Sequence, residues 1–157
     1  MQYTSTRDKS IRVSAATAIA QGISEEGGLF VPCELPHFSL DSIGKMVSMP
    51  YTERAKTVLK EFLTDFTEEE LKYCISHAYD SKFDTAEIAP LKKAHGANYL
   101  ELFHGSTIAF KDMALQLLPY LMTVSAKKTA DGKTIVILVA TSGDTGKAAL
   151  EGFKNVD

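Results

Sequence analysis

The sequence has no stretch long enough to cross a membrane and no recognisable export signal. Among its 157 residues, the longest unbroken apolar run is the six residues from Ile135 to Ala140, whereas a membrane-spanning helix needs about 20. The first residues, MQYTSTRDK, lack the apolar core of a secretory signal. We therefore expect a cytoplasmic protein with no membrane partner.

The sequence also lacks an excess of one charge and the spacing of a metal site. It has 17 basic and 20 acidic side chains, and no Lys/Arg cluster exceeds a pair, so a nucleic-acid partner is not indicated. Its two cysteines, Cys33 and Cys74, form no C-x-x-C pair and have no histidine pair at ligand spacing. We therefore expect no metal site, no disulfide framework and two buried or free thiols.

The remaining composition is that of an ordinary folded protein. Apolar residues make up 45% and charged residues 24% of the chain, close to the average of soluble globular proteins. The length allows one domain, or two small domains that share an interface. A polar segment at residues 80–84 and a change of pattern beyond it favour two parts, residues 1–80 and 81–157.

The first part carries mainly helical signals. After a β-like start at residues 2–6, Ser14 can cap a helix that Gly22 ends, and residues 27–32 (GGLFVP) predict a turn and a short extended segment. The spacing of Thr67 and Glu70 predicts a capping box. Apolar stripes on two helices are expected to be core: Ala55, Val58, Leu59, Phe62, Leu63, Leu71, Cys74, Ile75, Ala78 and Tyr79.

The second part alternates strand and helix signals. Residues 134–140 are β-branched and apolar without alternation, which is typical of a strand covered on both faces. This alternation of strands and helices predicts a doubly wound α/β domain with right-handed crossovers. Its elements in order are a strand at 98–103, a turn at 104–107, a buried helix from Lys111 to about Ala126 that Pro119 should kink, a turn at Asp131 and Gly132, the strand at 134–140, and a helix from Lys147.

Two places are chemically unusual. An ammonium at Lys111, at the start of a buried helix, is unfavourable unless it is paired or neutral, and a neutral amine is a nucleophile toward aldehydes. The alternative is that Lys111 has no chemical role and either forms an ion pair with Asp112 or extends its ammonium to solvent. The loop at residues 141–146 (TSGDTG) lies where a strand meets a helix, and its backbone amides can bind a carboxylate or phosphate.

A phosphate-binding P-loop is excluded by spacing, because it would need glycine at Thr141 and Ser/Thr at Ala148. A plain strand-to-helix connection stays open for the 141–146 loop. Lys111 and this loop together place an amine beside a binding site for a charged small molecule, at the edge of the sheet where such domains bind ligands.

Three segments carry a resemblance to a known family. Residues 100–112 (LELFHGSTIAFKD) resemble the lysine motif of threonine synthases, and residues 140–146 (ATSGDTG) resemble their second motif. The opening residues 4–7 (TSTR), 21–22 (QG) and 27–32 (GGLFVP) look like their N-terminal domain. The resemblance covers nearly the whole chain. It implies a pyridoxal 5′-phosphate enzyme of the tryptophan-synthase-β class, fold type II.

The resemblance also implies roles for particular residues. Lys111 corresponds to the lysine that bonds to the cofactor aldehyde and then carries protons. Asp144 corresponds to a cofactor-binding position that is usually asparagine in the wider class, where it contacts the ring hydroxyl oxygen. An aspartate there would have to share a proton with that oxygen. The loop that receives the substrate carboxylate corresponds to Thr141, Ser142, Gly143 and Thr145.

The implied activity is a lyase reaction that converts O-phospho-L-homoserine and water to L-threonine and phosphate. Ser106 stands where the family commonly has proline, so the turn before Lys111 is less rigid. Because the family's groups for the cofactor phosphate lie downstream of residue 157, we expect an N-terminal fragment that is inactive alone. Two alternatives stay open: another fold-type II lyase of dehydratase or cysteine-synthase type, and a non-catalytic binding module. The sequence does not indicate the oligomeric state.

Overall fold

The structure is a computed structural model that describes residues 1–129 and 134–156. No helix among these residues is long and apolar enough to span a bilayer. The helices are α1 (Ala15–Gln21), α2 (Leu40–Met46), α3 (Tyr51–Phe62), α4 (Glu68–Ala78), α5 (Asp112–Leu115), α6 (Leu118–Thr129) and α7 (Asp144–Phe153). The strands are β1 (Tyr3–Ser5), β2 (Phe30–Pro32), β3 (Leu91–Ala94) and β4 (Ala97–Leu100). The mixed α/β class predicted from the sequence is confirmed.

The helices with local capping signals form as predicted. In α1, the Ser14 hydroxyl accepts a hydrogen bond from the Thr17 amide, and Gly22 ends the helix with a φ of +74°. In α4, both bonds of the capping box between Thr67 and Glu70 are present. These signals involve residues close in sequence, so they act independently of tertiary packing.

The paired strands form two small antiparallel sheets. Strand β1 pairs with β2, with Ser5 opposite Phe30, and β3 pairs with β4 in a hairpin. The hairpin turn uses positive φ angles at His95 (+50°) and Gly96 (+79°). The strand predicted at 98–103 therefore exists in shortened form, and its partner β3 was not predicted.

The prediction of a covered strand at residues 134–140 is wrong for this structure. The segment has no strand partner among the described residues, and Val136 and Leu138 are 80% and 93% exposed. A parallel strand needs hydrogen-bonding neighbours on its edges, and no such neighbour occurs in the described ranges. The predicted turn at Asp131 and Gly132 lies outside the described residues.

The long helix predicted from Lys111 is interrupted. It divides into α5 and α6 at Gln116 and Leu117, and Pro119 is the second residue of α6. Proline lacks an amide hydrogen and clashes with the preceding turn, but it fits the first turn of a new helix. The predicted kink is thus a complete break, and Pro119 lies buried near the start of α6.

One hydrophobic core joins both predicted parts of the chain. It combines Ala15 and Ala16 of α1, Leu71 and Cys74 of α4, and Leu121 of α6, among others. Helix α6 packs against both α1 and α4. The division at residue 80 stays a prediction, and the core crosses that position.

Two features of the helical part differ from expectation. Val58 was predicted to be core but is 36% exposed, whereas Leu63, at the C-cap of the same helix, is buried. Helix α2 was not predicted, and none of its residues is buried. Both cases reflect helix faces that find little packing surface.

The capping box of α4 also anchors the end of α6. The Glu70 carboxylate accepts hydrogen bonds from the Thr67 amide (2.7 Å) and from the Lys128 ammonium (2.8 Å). Burial raises the pKa of Glu70, but the bond from Lys128 and the bond from the Thr67 amide outweigh it, so the pKa lies below its ordinary value. The ionised carboxylate therefore stabilises the fold.

We expect Glu70→Gln to lower the free energy of unfolding at neutral pH by about 1 kcal/mol, through loss of the cap and of a partly exposed ion pair. A lowered folded-state pKa gives stability that is present above the unfolded pKa and is lost as pH falls through the folded value. Urea denaturation at neutral and acidic pH should show the deficit shrinking on acidification. Glu69→Gln, in the same helical turn, is the matched control, and an equal loss there would contradict the assignment.

Candidate functional site

Lys111 lies at the N-cap of α5, half-buried, where its sequence context predicted a helix start. Its Nζ atom lies 3.8 Å from the centroid of the Phe110 ring, a cation–π distance. Within the described part of the chain, its ammonium has no carboxylate partner. The alternative of an ion pair between Lys111 and Asp112 is therefore wrong, and the amine is left available.

The Asp112 carboxylate has a different partner. It is fully buried and accepts two hydrogen bonds from Thr107, one from the amide and one from the hydroxyl, each at 2.8 Å. Successive residues of a helix point about 100° apart, so Lys111 and Asp112 project from different faces of the helix start. The carboxylate binds the preceding turn, not the lysine.

Tyr79 ties α5 to the helical part of the chain. Its hydroxyl donates to the Met113 carbonyl at 2.8 Å, and its ring packs edge-on against Tyr51 at 4.8 Å between centroids. Burial, reinforced by Tyr51, raises the pKa of Tyr79. The hydroxyl therefore remains a donor, and it fixes the helix that follows Lys111.

The loop at 141–146 leads into α7, which begins at Asp144, three residues before the predicted start. The Thr141 hydroxyl accepts from the amides of Gly146 (2.9 Å) and Gly143 (3.3 Å). Gly143 has a φ of +153°, which strongly favours glycine. Among the described residues, the amides of Asp144 and Thr145 have no acceptor.

This loop geometry suits an anion. Ser142, Gly143, Asp144 and Thr145 are all exposed, and unpaired amides at the start of a ten-residue helix carry partial positive charge. The Thr141 hydroxyl already serves the loop as an acceptor, a structural role that the sequence did not indicate. Its proton can still be donated outward.

The two motifs meet through Thr107. The ammonium of Lys147, the fourth residue of α7, donates to the Thr107 carbonyl at 3.3 Å, so the turn before Lys111 contacts the helix that follows the loop. Helix α7 also packs on α5, with Gly152 against the Leu115 carbonyl.

The cavity beside the 141–146 loop does not include Lys111. An apolar cavity of ≈ 260 Å³ is lined by Thr141 and Thr145 of the loop and by Leu115 of α5, and Lys111 is not among its lining residues. The structure thus makes the motifs neighbours. Whether Lys111 and the loop bind one ligand stays a prediction, as do the roles of Asp144, Ser142 and Gly143.

His104 lies at the base of the turn before Lys111, between two carboxylates. Its Nδ1 atom lies 2.5 Å from Asp84, and its Nε2 atom lies 2.9 Å from Glu101. Asp84 also donates its amide to the His104 carbonyl. Glu101 first, and then Asp84, raise the pKa of His104. A histidine with both ring nitrogens bonded is a structural histidine.

We expect the stability of the protein to depend on the protonation of His104. A raised folded-state pKa gives stability that is fully present below the unfolded pKa and is lost as pH rises through the folded value. The urea midpoint should therefore fall as the pH rises past the ordinary pKa of histidine, and this component should vanish in His104→Gln. His37→Gln, at an exposed site, is the control, and an unchanged pH profile in His104→Gln would refute the expectation.

The cysteines fit the sequence-based expectation of free thiols. Cys33 is exposed and Cys74 is buried, and both are free. Burial, and to a smaller extent Glu70, raises the pKa of Cys74 to about 12, so this thiol is protonated and unreactive. Residues 1–129 and 134–156 contain no group of three histidine, cysteine, aspartate or glutamate side chains that could hold a metal ion.

Comparison with known proteins identifies relatives of the chain. A family model described as the N terminus of threonine synthase matches residues 2–79. Threonine synthase of Pseudomonas aeruginosa is 41% identical over 160 residues, covering 100% of this chain and 33% of that protein. The chain thus spans about a third of the length of the curated relative.

Solved structures agree with the sequence comparison. The crystal structure of threonine synthase from Brucella melitensis with bound pyridoxal phosphate superposes with a TM-score of 0.91 at 35% identity, covering 100% of this chain and 34% of that chain. Threonine synthase from yeast gives a TM-score of 0.89 at 31% identity, covering 99% and 33%.

Proposed function

Because this chain belongs to the threonine synthase family, we propose that it forms the N-terminal part of an active site that converts O-phospho-L-homoserine and water to L-threonine and phosphate. The proposal makes the whole protein a lyase dependent on pyridoxal 5′-phosphate. One observation carries it: the Lys111 amine has no carboxylate partner among the described residues, although a buried carboxylate, Asp112, is its neighbour in sequence.

The residues of this chain fit the cofactor chemically. Lys111 is half-buried and has no carboxylate partner among the described residues, which suits an amine that must react with an aldehyde. When bound, pyridoxal phosphate supplies an electron sink that stabilises negative charge at the substrate's α-carbon. In the proposal, Lys111 holds the cofactor before substrate arrives and then, as a free amine, moves protons between substrate carbons.

The loop at 141–145 takes the substrate's carboxylate in this proposal. The unpaired amides of Asp144 and Thr145 and the outward proton of the Thr141 hydroxyl are the donors. Asp144 would help to hold the ring hydroxyl of the cofactor, and its carboxylate would have to share a proton with that oxygen, since two anionic oxygens at contact distance repel.

The test is an assay of the protein produced from the full reading frame that contains this sequence. With pyridoxal phosphate and O-phospho-L-homoserine, it should release phosphate and L-threonine in equal amounts, and it should restore growth of a threonine auxotroph that lacks this enzyme. Deamination of threonine, or cysteine formation from an activated serine, would instead indicate another lyase of the same fold. Cofactor binding at no lysine would indicate a binding module.

A further inference from the structure

The turn that precedes Lys111 contains a strained residue. Ile108 has a φ of +63°, a left-handed conformation that a β-branched side chain strongly disfavours. Its side chain is 72% exposed, so apolar burial does not compensate for the strain. Backbone strain of this kind persists only where surrounding contacts fix the conformation.

The Asp112 carboxylate provides such contacts. Both of its oxygens accept hydrogen bonds from Thr107, the residue directly before Ile108. Asp112 and Thr107 are both buried. Gly105 is packed so closely that a Cβ atom there would lie 2.5 Å from Asp112 Cβ. The Ile108 amide closes the turn by donating to the Gly105 carbonyl at 3.0 Å.

A general helix-start effect does not account for this arrangement. A carboxylate that caps a helix accepts from amides of the helix's own first turn, whereas Asp112 binds backward to Thr107. The Thr107 carbonyl in turn accepts from Lys147 of α7. Thr107 therefore joins the start of α5, the strained turn and the helix that follows the 141–146 loop.

We infer that Asp112 is a positioning residue: through Thr107 it holds the strained turn at Ile108 closed, and thereby orients the Lys111 amine. The inference rests on the proposed function for what Lys111 reacts with. In that reaction the unprotonated Nζ adds to an aldehyde carbon, a C=N bond forms, and the aldehyde oxygen leaves as water.

The test compares Thr107→Val with Thr107→Ser in the protein from the full reading frame. Valine keeps the shape of threonine and removes the hydroxyl bond to Asp112, whereas serine keeps the bond. Pyridoxal phosphate is added, borohydride reduces the C=N bond by hydride transfer, and peptide mass spectrometry measures the label on Lys111. Lys93, exposed on the β3–β4 hairpin, is the internal control.

We expect Thr107→Val to lower labelling of Lys111 about tenfold or more, as loss of orientation does, with Lys93 unchanged. Thr107→Ser should stay within about twofold of the parent. Adding Ile108→Gly to Thr107→Val relieves the strain and should recover most of the labelling. Asp112→Asn should lower the labelling of Lys111 to a similar extent as Thr107→Val.

Hydrogen exchange of the Ile108 and Asp112 amides gives a readout that needs no cofactor. Their protection should fall in Thr107→Val and return with Ile108→Gly. Parental labelling and protection in Thr107→Val would overturn the positioning role and leave the proposed function intact. If the parent protein itself shows no label on Lys111, the proposed function fails, and the exchange measurement alone decides whether Asp112 holds the turn.

Discussion

On the proposed function, replacement of Lys111 by arginine in the protein from the full reading frame should abolish threonine formation, with a loss of about a thousandfold or more, because the proposal gives this amine several steps. Arginine keeps the positive charge and can still lie over Phe110, so the local contact survives. Its guanidinium, however, is never neutral near physiological pH. It can neither attack an aldehyde nor exchange protons with the substrate.

The fold should tolerate this change. Because Lys111 has no carboxylate partner in the part of the chain that the structure describes, we expect the free energy of unfolding to change by less than about 0.5 kcal/mol. Activity is measured as phosphate release, and stability is measured by urea denaturation. Lys93→Arg is the control and should be fully active. Substantial turnover by Lys111→Arg would contradict the role of this amine.

Substitution of Gly152 by alanine should have the second large effect, this time on structure. A Cβ atom at this position would lie 2.1 Å from the Leu115 carbonyl oxygen and 3.5 Å from Pro119 Cγ. The obstacle is backbone, so it cannot rotate away, and α7 must move off α5. We expect a loss of about 1–3 kcal/mol in unfolding free energy, typical of overpacking. Activity should fall as well, because α7 carries the 141–146 loop.

Gly44→Ala in helix α2 is the matched control. A Cβ atom there meets no atom within 4 Å, so alanine should raise stability by up to about 1 kcal/mol through its helix propensity. Thermal denaturation of the two variants distinguishes the clash with the Leu115 carbonyl from the effect of alanine on helix propensity. If Gly152→Ala were as stable as the parent protein, the packing of α7 on α5 would not be as the structure shows.

Local signals explain why much of the helical part was predictable. Ser14 and Gly22 bound α1, and Thr67 and Glu70 open α4, because caps involve residues three or four positions apart. Features that depend on distant neighbours were not predicted. Strand β3 has two adjacent lysines and no apolar alternation, and residues 134–140 have strand composition but no pairing partner in the described ranges.

The candidate site divides in the same way. The position of Lys111 at a helix start and the loop before α7 followed from sequence patterns. The pairing of Asp112 with Thr107 did not, because an adjacent lysine offered a simpler partner. A signal was present, since a threonine five residues before an aspartate at a helix start can bridge a turn. The contact between Lys147 and Thr107 spans 40 positions, beyond the reach of a local pattern.

The shared core has a consequence for protein engineering. Leu121 and Val124 of α6 lie in one cluster with Ala15 of α1 and Leu71 of α4, so side chains on the two sides of residue 80 have to be complementary. A chimaera that joins two homologues at that position would combine a helix surface from one parent with an unmatched counterpart from the other. Recombination libraries should therefore exchange these three helices together, or restore their mutual fit by compensating substitutions.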